Sequence, residues 1–209
     1  MNPLPVDVLA VGSGLVVVVA ATSSVLRTLV MPRGLRSMVA GSVTRTIQGG
    51  FHAVAHRLRG YEQRDALLAW SGPVTILVTL VVWLLMFLIG YALMLVGFSD
   101  VDLPTAVREA GSSLFTLGFA SSDRAQLTAV DFVAAATGPI VIALLIGYLP
   151  SLYASYNRRE VEVTLLVARA GEPSWGPELI ARHVIVDSLA ELPTLWTAWE
   201  RWAADVSES

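Results

Sequence analysis

The sequence predicts an all-α membrane protein, and three observations lead there. The 209 residues are 55% hydrophobic and only 15% charged, whereas soluble domains carry about 25% charged residues. The missing charge is concentrated in three apolar blocks, from about Val6 to Val30, from Pro73 to Gly97 and from about Phe132 to Tyr153; each is long enough to cross a hydrocarbon core of ~30 Å as a helix. The basic residues, all 14 of them Arg, are unevenly shared between the segments that join those blocks, as the positive-inside rule requires of a multi-pass chain.

The first block, residues 1–31 with their short lead-in, reads as an N-terminal transmembrane helix ended by Met31-Pro32-Arg33-Gly34. Asp7 stands where a cleaved secretion signal would need basic residues, and the apolar run is too long for one. Gly12, Gly14, Ala20 and Ala21 are small enough to admit a neighbouring helix. Residues 32–70 follow as a cytosolic amphipathic segment. Val39, Val43, Ile47, Val54 and Leu58 keep helical spacing opposite Arg36, Arg45, Arg57 and Arg59, the pattern of a helix lying on the membrane surface. Gln48-Gly49-Gly50 is its expected break.

The second block has no charged residue and opens with Pro73 near a helix start. The third ends against Asn157-Arg158-Arg159, and the tail over 160–209 reads as two cytosolic helices separated by residues 171–177. Arg33, Arg36, Arg45, Arg57, Arg59 and Arg64 lie between blocks one and two. The interval between blocks two and three instead holds Asp100, Asp102, Glu109, Asp123 and Asp131 beside Arg108 and Arg124. The expected orientation is N-terminus outside and C-terminus cytoplasmic, in the plasma (inner) membrane.

The interval from Asp100 to Asp131 is where chemistry is expected. Leu103-Pro104-Thr105 is a helix start, with Asp102 near the positive end of its dipole, and "TAVREAGSSLFT" supplies about three turns, too few to span. Thr116-Leu117-Gly118-Phe119-Ala120 and the polar Ser121-Ser122-Asp123 come next. A short helix that enters the bilayer and returns as extended chain is a re-entrant loop, stable only if buried in protein or lining a water-filled path.

The order outer helix, short helix, Thr-x-Gly-aromatic strand and inner helix, over roughly Pro73 to Arg159, resembles the pore domain of the potassium-channel family, bacterial members included. Thr116, Leu117, Gly118, Phe119 and Ala120 match its TVGYG filter in turn, as a degenerate TLGFA. The resemblance implies a pore domain over residues 71–159 and a homotetramer around a shared axis. It implies passive flow of monovalent cations, K+ first, past the carbonyls of residues 116–119 and the Thr116 hydroxyl. It further implies an inner-helix hinge at Gly138-Pro139 and a second bend or gate at Gly147 and Pro150. Two departures stand out: Ala120 replaces the second filter glycine and Ser121 the following aspartate. Because that glycine serves a positive φ, strain is expected at Ala120.

Rival readings are a non-conducting scaffold or signalling protein on a channel-like fold, a small carrier, or the membrane subunit of a larger transport complex. No enzyme is expected; intramembrane proteolysis in particular would need a catalytic His or Asp within the spans, and blocks two and three have none. No cofactor is expected beyond permeating cations, and partners are the bilayer and further copies of the chain. Nucleic acid is disfavoured by a net charge of −3 with no basic stripe. The absence of Cys excludes disulfides and thiolate metal sites. His52 and His56 share a helix face but lack a third ligand, and His183 and Asp187 read as solvated. Trp196, Trp199 and Trp202 recur as an apolar stripe suited to docking on membrane or on neighbouring subunits.

Overall fold

A computed structural model describes residues 5–31, 37–99, 101–121, 125–171 and 175–208. Pro32, Arg33, Gly34, Arg36, Asp100, Ser122, Asp123, Arg124 and residues 172–174, which figure in the sequence reading, lie outside the described residues. So does the Arg159 side chain. The described residues are helical and contain no strand. Three stretches are long and apolar enough to cross a membrane: Asp7–Leu29, Tyr61–Phe98 and Leu127–Ala154.

The chain divides into two units, Met1–Ile146 and Gly147–Ser209. In the first, helix α1 (Pro5–Leu29) runs antiparallel to α4 (Ser71–Phe98). A Cβ on Gly14 would lie 2.6 Å from the Gly90 carbonyl oxygen, and one on Gly97 2.6 Å from the Asp7 carbonyl oxygen. Removing the side chain at these crossings lets the two backbones touch, which raises dispersion contact where lipid supplies no hydrophobic drive. Gly14 and Ala21 therefore face α4, whereas Gly12 and Ala20 are exposed.

A buried hydrogen-bond chain fixes the opposite end of this pair. The Trp83 indole N–H donates to Ser24 Oγ at 2.8 Å, and Ser24 Oγ meets Ser37 Oγ at 2.6 Å. Ser37 Oγ in turn accepts the Ala40 N–H and caps α2 (Met38–Ala55). Trp83, Ser24 and Ser37 are all buried, so each polar atom needs the others. Helix α2 runs unbroken through Gly49-Gly50. The expected break comes later, between His56 and Gly60, because Gly weakens a helix by only ~1 kcal/mol and does not forbid it. Helix α3 (Tyr61–Ala69) passes into α4 through Trp70, whose φ and ψ of −73° and −17° stay helical.

Helix α5 (Leu103–Leu114) packs on α4 and on the first half of α6 (Ala125–Ala170). Tyr91 and Thr137 join α4 to α6 at 2.7 Å. Since Thr137 Oγ1 donates to the Val133 carbonyl, the Tyr91 hydroxyl is the donor of that pair. Helix α6 does not stop near Arg158-Arg159 but continues to Ala170. Charge marks where a span leaves lipid, not where a helix ends, and no Gly or Pro follows Pro150 before Gly171.

In the second unit the far part of α6 packs on α7 (Gly176–Ile185) and α8 (Leu192–Glu208) around Ala170, Leu179 and Leu195. The tail thus has a further break, at Val186–Ser188, where Asp187 adopts φ 55°. His183 is buried and its Nδ1 lies 2.7 Å from the Leu179 carbonyl oxygen, so its expected solvation is corrected. It occupies the inward stripe with Leu179, four residues back. Trp199 packs into this core and meets Trp196 edge to face at 5.1 Å. An apolar groove of about 280 Å³ runs beside Trp199, Trp202, Leu166 and Val163.

The glycine crossings generate a test. Gly90→Val places methyl groups against backbone and should destabilise the protein by ~1–3 kcal/mol. Gly12→Ala, at a position with nothing within 4 Å, should leave stability level or raise it by up to ~1 kcal/mol. Thermal unfolding of both variants in one detergent checks the contrast; equal effects would contradict the packing described.

Candidate functional site

The segment after α5 is shaped by the last turn of that helix. The Thr116 N–H donates to the Ser113 carbonyl at 2.9 Å and the Leu117 N–H to the Ser112 carbonyl at 2.8 Å. With Thr116 at φ 54°, this is a Schellman cap, which satisfies carbonyls that a helix end leaves open. The capping position usually carries Gly. A β-branched residue at positive φ is uncommon and strained by about 1–2 kcal/mol. Thr116 Oγ1 donates back to the Phe115 carbonyl at 2.8 Å.

The strain expected at Ala120 is therefore found elsewhere. In residues 101–121 the positive φ values belong to Thr116 and to Gly118, at 71°. Ala120 instead donates its N–H to Ser112 Oγ at 2.9 Å. Ser112 is fully buried and holds the loop twice, by its carbonyl and by its hydroxyl. Thr116, Leu117, Gly118 and Phe119 are exposed in the single chain and Ala120 is half-buried. The Arg108 guanidinium sits 5.4 Å from the centroid of the Phe119 ring, a cation–π distance.

Gly138 has a contact that explains its residue type. A Cβ there would collide with the Leu114 carbonyl oxygen, at the end of α5. Gly138 and Pro139 lie in the first unit, Gly147 and Pro150 in the second, and all four are within the continuous α6. Nothing stands within 4 Å of a Cβ built on Gly147.

Behind the loop lie residues that the sequence reading left unassigned. Ser113 Oγ donates to Asp131 Oδ1 at 2.6 Å, tying α5 to α6. Glu109 and Asp131 are both buried, at 6% and 8% exposure. Burial pushes the Glu109 carboxyl above its ordinary pKa, and the neighbouring Asp131 charge and hydrogen bond add to the rise. Their signal in the sequence is periodicity: Glu109 shares the inward stripe of Ala106, Ala110 and Leu114, and Asp131 that of Leu127, Val130 and Ala134. Among the described residues no group of three or more His, Cys, Asp or Glu is placed to hold a metal ion. His52 and His56 are exposed.

Comparison with protein-family models, with curated proteins and with solved structures gives no match.

Two substitutions separate strain from support. Thr116→Gly should stabilise the fold by ~1 kcal/mol by relieving the positive-φ cost. Ser112→Ala should destabilise by ~1–3 kcal/mol because it strands the Ala120 N–H. Reversible denaturant unfolding in mixed micelles measures both, and loss of stability in Thr116→Gly would contradict the cap.

Proposed function

We propose that the chain is one subunit of a tetrameric cation channel of the potassium-channel kind, with residues 116–120 as its filter loop. The reading rests above all on how deep α5 reaches. Leu114 abuts Gly138, which lies 11 residues, or about 16 Å, into the Leu127–Ala154 span. That is about half of a ~30 Å hydrocarbon core. A second contact agrees, since Gly111 lies beside Leu88, well inside the apolar stretch of α4. A twelve-residue helix, about 18 Å long, that starts at the outer face would end at mid-depth. Its loop would then be in hydrocarbon unless further copies enclose it.

The exposed residues 116–119 are the consequence: polar backbone at that depth needs a wet axis or a partner, and a closed ring of four identical loops provides one. The negative end of α5 would favour a cation on the axis. The chain would be a multi-pass protein of the inner membrane, N-terminus outside. The Gly147 and Pro150 region of α6 would form the gate, and the second unit a cytoplasmic assembly.

A second reading, a non-conducting scaffold on the same architecture, draws on Arg108. Its guanidinium beside Phe119, repeated around an axis, would repel cations at the mouth.

Purified protein in liposomes decides between them. The channel reading expects a tetrameric mass in detergent and K+ flux. Gly118→Trp should lower that flux at least about tenfold while leaving the tetramer intact, because no side chain fits a closed axis. Arg108→Gln should raise it. A monomer, or flux unaffected in Gly118→Trp, would overturn the filter assignment; tetramers without flux would favour the scaffold.

A further inference from the structure

Two buried oxygen atoms, Glu109 Oε1 and Asp131 Oδ2, have no hydrogen-bond partner among the described residues. They belong to buried side chains that α5 and α6 bring to one place: Ser113, which bonds Asp131, lies one helical turn after Glu109 on α5. Two carboxylates cannot satisfy one another, because neither has a donor. One proton placed between them satisfies both atoms at once. The second Asp131 oxygen is already met by Ser113 Oγ. Among the described residues, charged groups around the pair are few. On α5 the neighbour is Arg108, which lies over the Phe119 ring. Helix α4 has no acidic or basic residue, and its Tyr91 is bonded to Thr137. In the part of α6 within the first unit the charged residue is Asp131 itself.

We propose that Glu109 and Asp131 share one proton, and that this proton fastens α5 to α6 behind the loop of residues 115–121, so that its loss at high pH loosens the loop. The proposal stands whether or not the loop forms part of a pore. The coupling runs through adjacent residues: Ser113 holds Asp131 and caps Thr116, while Ser112, its neighbour, holds Leu117 and Ala120. On ionisation the Glu109 O–H bond breaks, its electron pair stays on the carboxylate and the proton leaves to solvent. Two like charges then face each other in a buried site with no donor between them.

The sign follows from linkage. Glu109 binds its proton more tightly in the closed state than in the opened one. The fastening is therefore fully present below about pH 4, the ordinary Glu range. It weakens as pH rises toward the raised pKa and levels off beyond it. The test is amide hydrogen exchange of Leu117, Gly118 and Ala120 in the full-length protein in nanodiscs, from about pH 4 to about pH 9, corrected for the intrinsic rate. The wild type should lose protection by up to about tenfold per pH unit across that window. Glu109→Gln, whose amide is a permanent donor to Asp131, should show a flat profile. Asp131→Asn, which removes the neighbouring charge, should narrow the window. Infrared spectra of the wild type should contain a protonated-carboxyl carbonyl band that fades as pH rises, a readout independent of any variant's folding. A flat wild-type exchange profile, an unchanged slope in Glu109→Gln, or no such band at any pH would each overturn the proposal.

Discussion

The carbonyl oxygen of Leu114 rests where a side chain on residue 138 would stand, and much of the architecture follows from that contact. A twelve-residue helix whose end packs against α6 must still dispose of its last carbonyls. Gly111 O takes the Phe115 N–H, Ser113 O the Thr116 N–H, and Ser112 O the Leu117 N–H. Leu114 O is left facing α6, and only a glycine lets it approach so closely. Moving α5 outward would expose that end, and adding a side chain at 138 would force the move. The loop 115–121 begins where the cap at Thr116 and this packing contact coincide.

Close backbone contact is used between the spanning helices, and hydrogen bonds throughout. Between α1 and α4 the contact is backbone on backbone, through Gly14, Gly90 and Gly97, because apolar side chains gain little from leaving lipid for one another. Hydrogen bonds also join α1 to α4 and α4 to α6, and they tie the segments that do not span. Trp83, Ser24 and Ser37 fasten the start of α2; Ser112, Ser113 and Asp131 fasten α5 and its loop. Such bonds are directional, so they fix where a short helix sits more narrowly than apolar contact does.

The three spans were legible because length and apolar content are sums over many residues, and no single position can overturn them. The start of α5 was legible too, since Asp102 and Pro104 act locally. What could not be read depends on partners distant in sequence. Gly138 looks like a hinge to a reader of α6 alone; its contact with Leu114 gives it a packing role that no local pattern encodes. Gly49-Gly50 looks like a break, yet α2 runs through. His183 and Asp187 look equally polar, but one faces the Ala170 and Leu179 core and the other does not. Glu109 was hidden for a different reason: an acidic residue on an inward stripe has meaning only once Asp131 is opposite.

Backbone strain marks the loop independently of its motif. The inference from an outlier runs toward function, since a residue kept in an unfavourable conformation needs a reason for its side chain. Glycine would relieve the cost at position 116, and Asn or Asp would reduce it, as Asp187 illustrates at the equivalent cap of α7. Thr116 has neither property. What threonine adds is a hydroxyl at an exposed position just after α5, beside the Phe115 carbonyl that it bonds. Stability alone does not select that group there. On the proposed filter reading that hydroxyl would be an oxygen ligand, and the positive φ of Gly118 two residues on keeps the same stretch of backbone in a shape that few side chains tolerate.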